Sequence, residues 1–275
     1  MTQALVSVRH LTRVFDVSRP WLNRVLERLP KRFLTAVSDV SFDVPAQTTY
    51  ALVGESGSGK STIGKMVAGL LTPSGGAVEI EGVDIAAAGG SSRAAVTRDI
   101  QMIFQDPYAS LNPRWRVRRI IAEPVAARGG DTSGLAERLL EQVGLSASDA
   151  DKYPHEFSGG QRQRICVARA LASEPRLIVC DEPTSALDVS VQAQVLNLMT
   201  DLKEQFGLTY LFISHDLTVV RHMADRIGVL YLGRLVEEAA PEQMFADPQH
   251  PYTHMLLQAA PRMDGFGREV IPPKG

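Results

Sequence analysis

The sequence has little cysteine and no long apolar run, and each shortage excludes a class of protein. Cys166 and Cys180 are the two cysteines among 275 residues, and both lie inside apolar stretches. We therefore expect buried free thiols in a reducing compartment, not a disulfide or a metal site. No apolar stretch approaches the roughly 18 residues needed to cross a bilayer, and MTQALVSVRH lacks the pattern of a signal peptide. We expect a cytoplasmic chain that reaches a membrane only through partners.

An excess of charge of either sign is also missing. The formal net charge is −2 and the isoelectric point is near 6.3. A protein whose main partner is a nucleic-acid backbone usually presents a strong basic field, so we expect no nucleic-acid partner. The composition, 44% hydrophobic and 22% charged, is that of an ordinary folded protein, and the length allows one large domain or two small ones.

The apolar pattern predicts strands in the N-terminal part and strand–helix alternation in the C-terminal half. ALVSVRHLTRVFDV, VSFDV and TTYALVG have strand character, and a helix is predicted from Lys60 until Thr72–Pro73 stops it. AAAGGSSRAA, residues 86–95, is typical of a surface loop. Between Val117 and Gly144 the pattern is helical without strand signals, which predicts a helical insertion.

The alternating segments after the insertion predict a parallel sheet flanked by helices. The predicted strands are RLIVCD, TYLFIS and IGVLYL, and the predicted helices are QRQRICVARALA, VQAQVLNLMTDLKEQF and LTVVRHMA. One N-terminal segment, residues 18–33, stands apart as a short basic amphipathic helix. It either packs on its own domain as a surface helix or contacts lipid headgroups or a membrane partner.

The stretch GESGSGKST, residues 54–62, matches the pattern G-x-x-x-x-G-K-[ST] between a predicted strand and a predicted helix. In this pattern the glycines let successive backbone N–H groups face a phosphate, and the helix N-terminus adds positive potential. A lysine then reaches the terminal phosphates and a hydroxyl can ligate Mg²⁺. The predicted phosphate-binding residues are Gly54, Glu55, Ser56, Gly57, Ser58, Gly59, Lys60, Ser61 and Thr62. A flexible structural turn is the alternative.

Two acidic residues follow the apolar run LIVC and complete the predicted chemistry. Asp181 is placed to bind Mg²⁺ through water, together with Ser61. Glu182 is placed to accept a proton from an attacking water, which would make the site a hydrolase. The alternative is that both acids merely begin a loop.

FSGGQRQR at residues 157–164 resembles the signature motif of ATP-binding cassette (ABC) ATPases and precedes LIVCDEPTSALD. The resemblance covers nearly the whole chain. It implies an α/β fold: a P-loop ABC ATPase domain with a central, mainly parallel sheet, an N-terminal antiparallel β part and a helical subdomain at about 106–157. It further implies a single nucleotide-binding domain over residues 1–275, with a C-terminal extension from about 239 to 275.

The resemblance also implies roles for residues outside the phosphate pattern. Phe15 would stack on adenine, Gln105 would touch Mg²⁺ or the attacking water, and His215 would hold the γ-phosphate. In the family two subunits face head to tail, so that a second chain completes each ATP site. The residues implied to touch the opposite subunit's ATP are Ser158, Gly159, Gly160, Gln161 and Asp188.

Finer resemblance concerns what is transported. QDPYASLNPR and DPQHPYTHMLLQAAP look like the ATP-binding subunits of oligopeptide and dipeptide importers, a group with nickel and glutathione relatives. This implies a peripheral protein at the cytoplasmic face of the membrane, with ATP and Mg²⁺ as ligands. The implied partners are a second ABC ATPase subunit, with a heterodimer preferred over a homodimer, two permease subunits and indirectly an external substrate-binding protein. An exporter ATPase and a soluble non-transport ABC ATPase are the alternatives.

Overall fold

A computed structural model describes residues 4–18, 23 and 30–259, which form two β-sheets with helices around them. The first sheet is antiparallel and contains β1 (Ala4–Asp16), β2 (Phe33–Pro45), β4 (Gly75–Ile80) and β5 (Val83–Asp84), in the order β2-β1-β4-β5. It is the predicted N-terminal antiparallel part. The predicted amphipathic helix at 18–33 falls largely outside the described residues.

The second sheet is the larger one and carries the chemistry predicted from the sequence. It contains β3 (Thr49–Val53), β6 (Ile100–Ile103), β7 (Leu177–Asp181), β8 (Thr209–Ser214), β9 (Arg226–Tyr231) and β10 (Arg234–Ala239), in the order β10-β9-β3-β8-β7-β6. All neighbouring pairs are parallel except β9 and β10. The prediction of a central, mainly parallel sheet is therefore confirmed.

Ten α-helices lie in the part of the chain that the structure describes. They are α1 (Lys60–Val67), α2 (Gly90–Arg98), α3 (Pro107–Ser110), α4 (Val117–Ala126), α5 (Leu135–Gln142), α6 (Gly159–Leu171), α7 (Val189–Phe206), α8 (Leu217–Met223), α9 (Pro241–Ala246) and α10 (Pro251–Ala259). Two 3₁₀ turns, Ala147–Asp151 and Pro154–Glu156, separate α5 from α6. None of the described helices is both long and apolar enough to cross a membrane.

The central strands are buried on both faces, which explains why they read as continuous apolar runs. In β7, Ile178 and Cys180 join the core under α6 and α7, whereas Leu177 and Val179 join the core that faces the antiparallel sheet. This is the period of two that a strand imposes on its side chains. Both cysteines of the chain, Cys166 in α6 and Cys180, are buried and unpaired, as expected.

Helix α1 is packed between the two sheets. Ile63, Met66 and Val67 belong to the core that contains residues of both. Gly64 permits this close approach, because a Cβ at that position would lie 2.6 Å from Ile213 Cδ1 and 3.2 Å from Val179 Cγ1. Helix α1, whose N-terminus borders the predicted phosphate site, is thus held directly against β7 and β8.

Two predictions about local structure were wrong. Helix α1 ends at Val67 instead of reaching Thr72, because Gly69 takes the left-handed conformation that terminates a helix (φ +72°). The predicted loop at 86–95 contains the start of α2. Glycine and serine are typical of a loop, but Gly90, Ser91 and Ser92 form the first turn of α2, and the arginine, alanines and valine that follow permit the helix to continue. Arg93 Nη2 donates to the Gly69 carbonyl at 3.0 Å.

The packing of α1 predicts that Gly64→Val destabilises the protein. Its side chain would enter the space of Ile213 and Val179, so we expect the free energy of unfolding to fall by about 1–3 kcal/mol. Gly90→Val is the matched control, because it makes the same change where a Cβ meets no heavy atom within 4 Å; we expect the free energy of unfolding to change by less than about 1 kcal/mol. Denaturant unfolding measures both, and equal effects of the two substitutions would contradict this packing.

Candidate functional site

The glycine loop (residues 54–59) connects the end of β3 to the start of α1. Gly54 and Gly59 have φ values of +149° and +106°. A Cβ on Gly54 would lie 2.2 Å from the Leu230 carbonyl oxygen, and one on Gly59 would lie 2.4 Å from the Ala36 carbonyl oxygen. Both positions therefore need glycine for conformation and for space.

Lys60, the first residue of α1, folds back over this loop. Its Nζ donates hydrogen bonds to the carbonyl oxygens of Gly54 at 2.7 Å and Glu55 at 2.8 Å, with Ser58 Oγ at 3.5 Å. These three partners are uncharged. Burial lowers the pKa of Lys60, while the nearby carboxylates of Glu182 and Asp181 act in the opposite direction. A buried ammonium group held by neutral oxygens is suited to an anionic ligand.

Two of the three side chains predicted to bind Mg²⁺, Ser61 and Asp181, lie together, whereas Gln105 contacts Glu182. Ser61 Oγ donates to Asp181 Oδ1 at 2.7 Å, and Asp181 is the last residue of β7. Burial raises the pKa of the Asp181 carboxyl, with the Ser61 hydrogen bond acting against it. No group of three or more His, Cys, Asp or Glu side chains could hold a metal within the described ranges. A hydroxyl and a carboxylate are oxygen ligands of the kind that Mg²⁺ binds, and Mg²⁺ usually keeps waters and substrate phosphate oxygens as its remaining ligands.

Three predicted catalytic residues meet at one carboxylate oxygen. Gln105 Nε2 donates to Glu182 Oε2 at 3.0 Å, and His215 Nδ1 lies 3.1 Å from the same oxygen. Glu182 has a positive φ of +49°, uncommon for a residue with a side chain, and its backbone N–H donates to the Ile213 carbonyl at 2.9 Å. Each of the three residues follows or adjoins the carboxyl end of a different strand.

An open cleft of about 800 Å³ joins these parts. Its lining comprises Phe15, Leu34, Ala36, Gly54, Glu55, Ser56, Gly57, Gly59, Lys60, Ser61, Thr62, Gln105, Glu182, His215 and Leu256. Phe15, predicted to stack on adenine, therefore shares the cleft with the glycine loop, and the guanidinium carbon of Arg13 lies 4.6 Å from its ring centroid. Ser58 and Asp181 are buried just outside this lining.

Three lining residues carry no sequence signal of a binding role. Leu34 is an exposed residue at the start of β2, Ala36 follows it, and Leu256 lies on α10. Isolated apolar residues on a surface are common, so neither type nor spacing distinguishes these positions. Only the folded arrangement places them beside the glycine loop.

The signature residues are grouped, but away from this cleft. Ser158 caps the start of α6: its Oγ accepts from the Gln161 N–H at 3.3 Å, and its own N–H donates to Gln161 Oε1 at 2.9 Å. Asp188 occupies the N-cap position of α7 without a side-chain capping hydrogen bond and, like Ser158, is exposed. A Cβ on Gly160 would lie 2.2 Å from Val191 Cγ1, so the two helix starts pack closely. Within one chain, none of the predicted opposite-subunit residues lines the described cleft.

Comparison with protein families gives two matches. Residues 37–185 match the family described as ABC transporter. Residues 236–275 match the oligopeptide/dipeptide transporter C-terminal region. The first match contains the glycine loop, the signature residues and Glu182, and the second contains α9 and α10.

Individual relatives are ATP-binding proteins of oligopeptide transport. The oligopeptide transport ATP-binding protein AppF of Bacillus subtilis is 52% identical over 87% of this chain and 75% of its own length. The oligopeptide transport ATP-binding protein OppD of Mycobacterium bovis is 46% identical over 94% of this chain. The chain spans only 42% of the length of that relative.

The fold also matches a solved structure. The ATP-binding cassette MJ0796, in a dimeric post-hydrolysis state bound to ADP and Pi, matches with a TM-score of 0.73 and 27% identity, over 86% of this chain and 98% of MJ0796. Fold, motif order and sequence identity agree, and this chain belongs to the ABC transporter family.

Proposed function

We propose that the chain binds ATP with Mg²⁺ and hydrolyses it to ADP and phosphate. The observation that carries this proposal is the shared cleft: the Lys60 ammonium, held by neutral oxygens in a glycine loop, and the Glu182 carboxylate line the same space. A phosphate chain would replace the carbonyl partners of Lys60, and the loop and the N-terminus of α1 would hold its oxygens. Mg²⁺ held near Ser61 and Asp181 would supply charge neutralisation at the phosphates.

The hydrolytic step follows from the contacts of Glu182. A water attacks the γ-phosphorus, its oxygen forms the new P–O bond, and the bond to the β–γ bridging oxygen breaks, which leaves ADP and inorganic phosphate. Glu182 accepts the proton that the water loses. Gln105 and His215, both within 3.1 Å of Glu182 Oε2, orient that carboxylate and the water.

We further propose that a second ATPase subunit completes the site. Ser158 and Asp188 are exposed and lie outside the cleft, so they are free to meet a nucleotide held by another chain. The start of α6 is itself suited to phosphate, since Gly159 and Gly160 begin the helix and a helix N-terminus carries positive potential. The relative MJ0796 is dimeric in a state bound to ADP and Pi, which supports this arrangement.

The proposed transport role is energy coupling for the import of peptides or related small solutes. The C-terminal match to the oligopeptide/dipeptide transporter region and the relatives OppD and AppF support this cargo class. In this role the chain lies on the cytoplasmic face of the membrane, bound to two permease subunits that receive solute from an external binding protein. A related but different ATPase is the preferred second subunit, and an identical copy is the alternative.

The mechanism predicts the behaviour of Glu182→Gln. Glutamine keeps the size and the hydrogen-bonding reach of the side chain but cannot accept the proton, so we expect ATP turnover to fall about 100-fold or more while ATP binding is retained. Sedimentation with ATP and its partner subunit should show an accumulated closed dimer. The measurement is phosphate release by the chain purified together with its partner ATPase subunit.

Glu204→Gln is the matched control, because it makes the same chemical change at an exposed position of α7. We expect its turnover to equal that of the unaltered protein. Full turnover in Glu182→Gln would show that the base is misassigned. Adding Ser158→Arg to Glu182→Gln should abolish the ATP-dependent dimer, and a dimer that persists would contradict the proposed role of the signature residues.

The proposed cargo is tested by uptake. Cells whose only copy of this gene encodes Glu182→Gln should lose uptake of labelled di- and oligopeptides, whereas cells with Glu204→Gln should keep it. The physical reason is that the transport cycle needs the energy and the dimer opening that hydrolysis supplies.

Immunoblotting must show equal amounts of both variants for the comparison to count. Unchanged peptide uptake in Glu182→Gln cells, with the purified variant inactive, would discard peptides as the cargo while the ATPase proposal stands. Labelled glutathione and nickel, tested in the same cells, would then identify an alternative cargo.

A further inference from the structure

Helix α10 reaches the glycine loop through one side chain, Tyr252. Its hydroxyl oxygen accepts a hydrogen bond from the Glu55 backbone N–H at 2.9 Å. Tyr252 is 5% exposed, and its ring lies 4.2 Å, centroid to centroid, from that of Tyr231 at the end of β9. The hydrogen bond is therefore partly buried, and the ring contact with Tyr231 supports the Tyr252 side chain that makes it.

This hydrogen bond acts on the peptide group that also holds Lys60. The Glu55 N–H and the Gly54 carbonyl belong to one peptide unit, which is planar, so fixing one fixes the other. Tyr252 Oη binds the N–H, and Lys60 Nζ donates to the carbonyl at 2.7 Å. If the Tyr252 hydroxyl were removed, this peptide could rotate and the carbonyl would leave its position beside Lys60.

The start of α10 is in turn anchored to the large sheet. The Glu237 carboxylate in β10 accepts hydrogen bonds from the backbone N–H groups of Gln249 at 2.8 Å and His250 at 2.9 Å. The Tyr252 N–H donates to His250 Nδ1 at 3.1 Å. A continuous set of hydrogen bonds thus runs from β10 through the turn before α10 to the glycine loop.

A second contact from the same helix supports a role at this site. Leu256 lies one helical turn after Tyr252 and lines the cleft together with Phe15 and Leu34. Helix α10 therefore touches both the loop that holds phosphate and the apolar part of the same cleft.

We propose that Tyr252 is a positioning residue of the ATP site, which makes α10 a structural part of that site. Tyr252 holds the Gly54–Glu55 peptide in the orientation that phosphate binding requires, and Leu256 supplies an apolar wall for the nucleotide. This inference rests on the proposed ATP binding. It assigns a physical role to part of the C-terminal region, which the glycine-loop and signature motifs do not include.

The test is Tyr252→Phe, which removes the hydroxyl and keeps the ring. We expect KM for ATP to rise about threefold to tenfold, the equivalent of one ordinary hydrogen bond, while kcat changes less than about twofold because Glu182, Gln105 and His215 are untouched. In the nucleotide-free protein, hydrogen exchange in peptides that contain Glu55 should become faster. Tyr231→Phe, the same change in the stacked ring, should alter none of these quantities.

Glu237→Gln is a second variant, because it weakens the anchor of α10 without touching the cleft. Like Tyr252→Phe, it should raise KM for ATP. Unchanged KM and unchanged exchange at Glu55 in Tyr252→Phe would overturn the inference. A failure of the proposed function is distinguishable, because the unaltered protein would then not bind a fluorescent ATP analogue, or Lys60→Ala would bind it equally well. The exchange measurement needs no nucleotide and therefore tests the role of Tyr252 separately.

Discussion

The glycine loop leaves no space for side chains where it meets the rest of the chain, and the site depends on this constraint. Gly54 lies so close to the Leu230 carbonyl of β9, and Gly59 to the Ala36 carbonyl of β2, that neither position has space for a Cβ. The loop is therefore held between the two sheets, and α1 behind it is packed against β7 and β8 through Gly64. This fixes the direction of the loop N–H groups before any ligand arrives, which lowers the entropic cost of binding.

The parallel sheet explains why residues distant in sequence meet in this cleft. β3, β8, β7 and β6 are neighbours and run in the same direction, so their carboxyl ends share one edge. The glycine loop follows β3 and His215 follows β8. Asp181 ends β7, Glu182 comes directly after it, and Gln105 lies just after β6. Ligands of open α/β sheets bind at such an edge. The mainly parallel sheet therefore brings residues at the ends of four strands together in one site.

Much of this could be predicted from the sequence, because short-range rules govern it. Strand TYLFIS and the loop–helix boundary at Lys60 follow from apolar runs and glycine placement, and the motif residues Lys60, Ser61 and Glu182 follow from spacing. The C-terminal contacts could not be predicted this way. Tyr252 and Leu256 act through the docking of α10 on the loop, which is a tertiary event with no local signature. The end of α1 at Val67 depends on the left-handed conformation of Gly69, and a glycine within an apolar pattern does not by itself indicate whether the helix continues or ends.

We propose that this cleft binds the terminal phosphates of a nucleotide. The most direct measurement is an equilibrium titration of the unaltered chain with ATP and with AMP, both in the presence of Mg²⁺. Lys60, the glycine loop and the Ser61–Asp181 pair are placed to act on the β- and γ-phosphates, so ATP should bind far more tightly than AMP. Equal affinity for the two nucleotides would contradict this proposal, because the β- and γ-phosphates would then contribute nothing to binding.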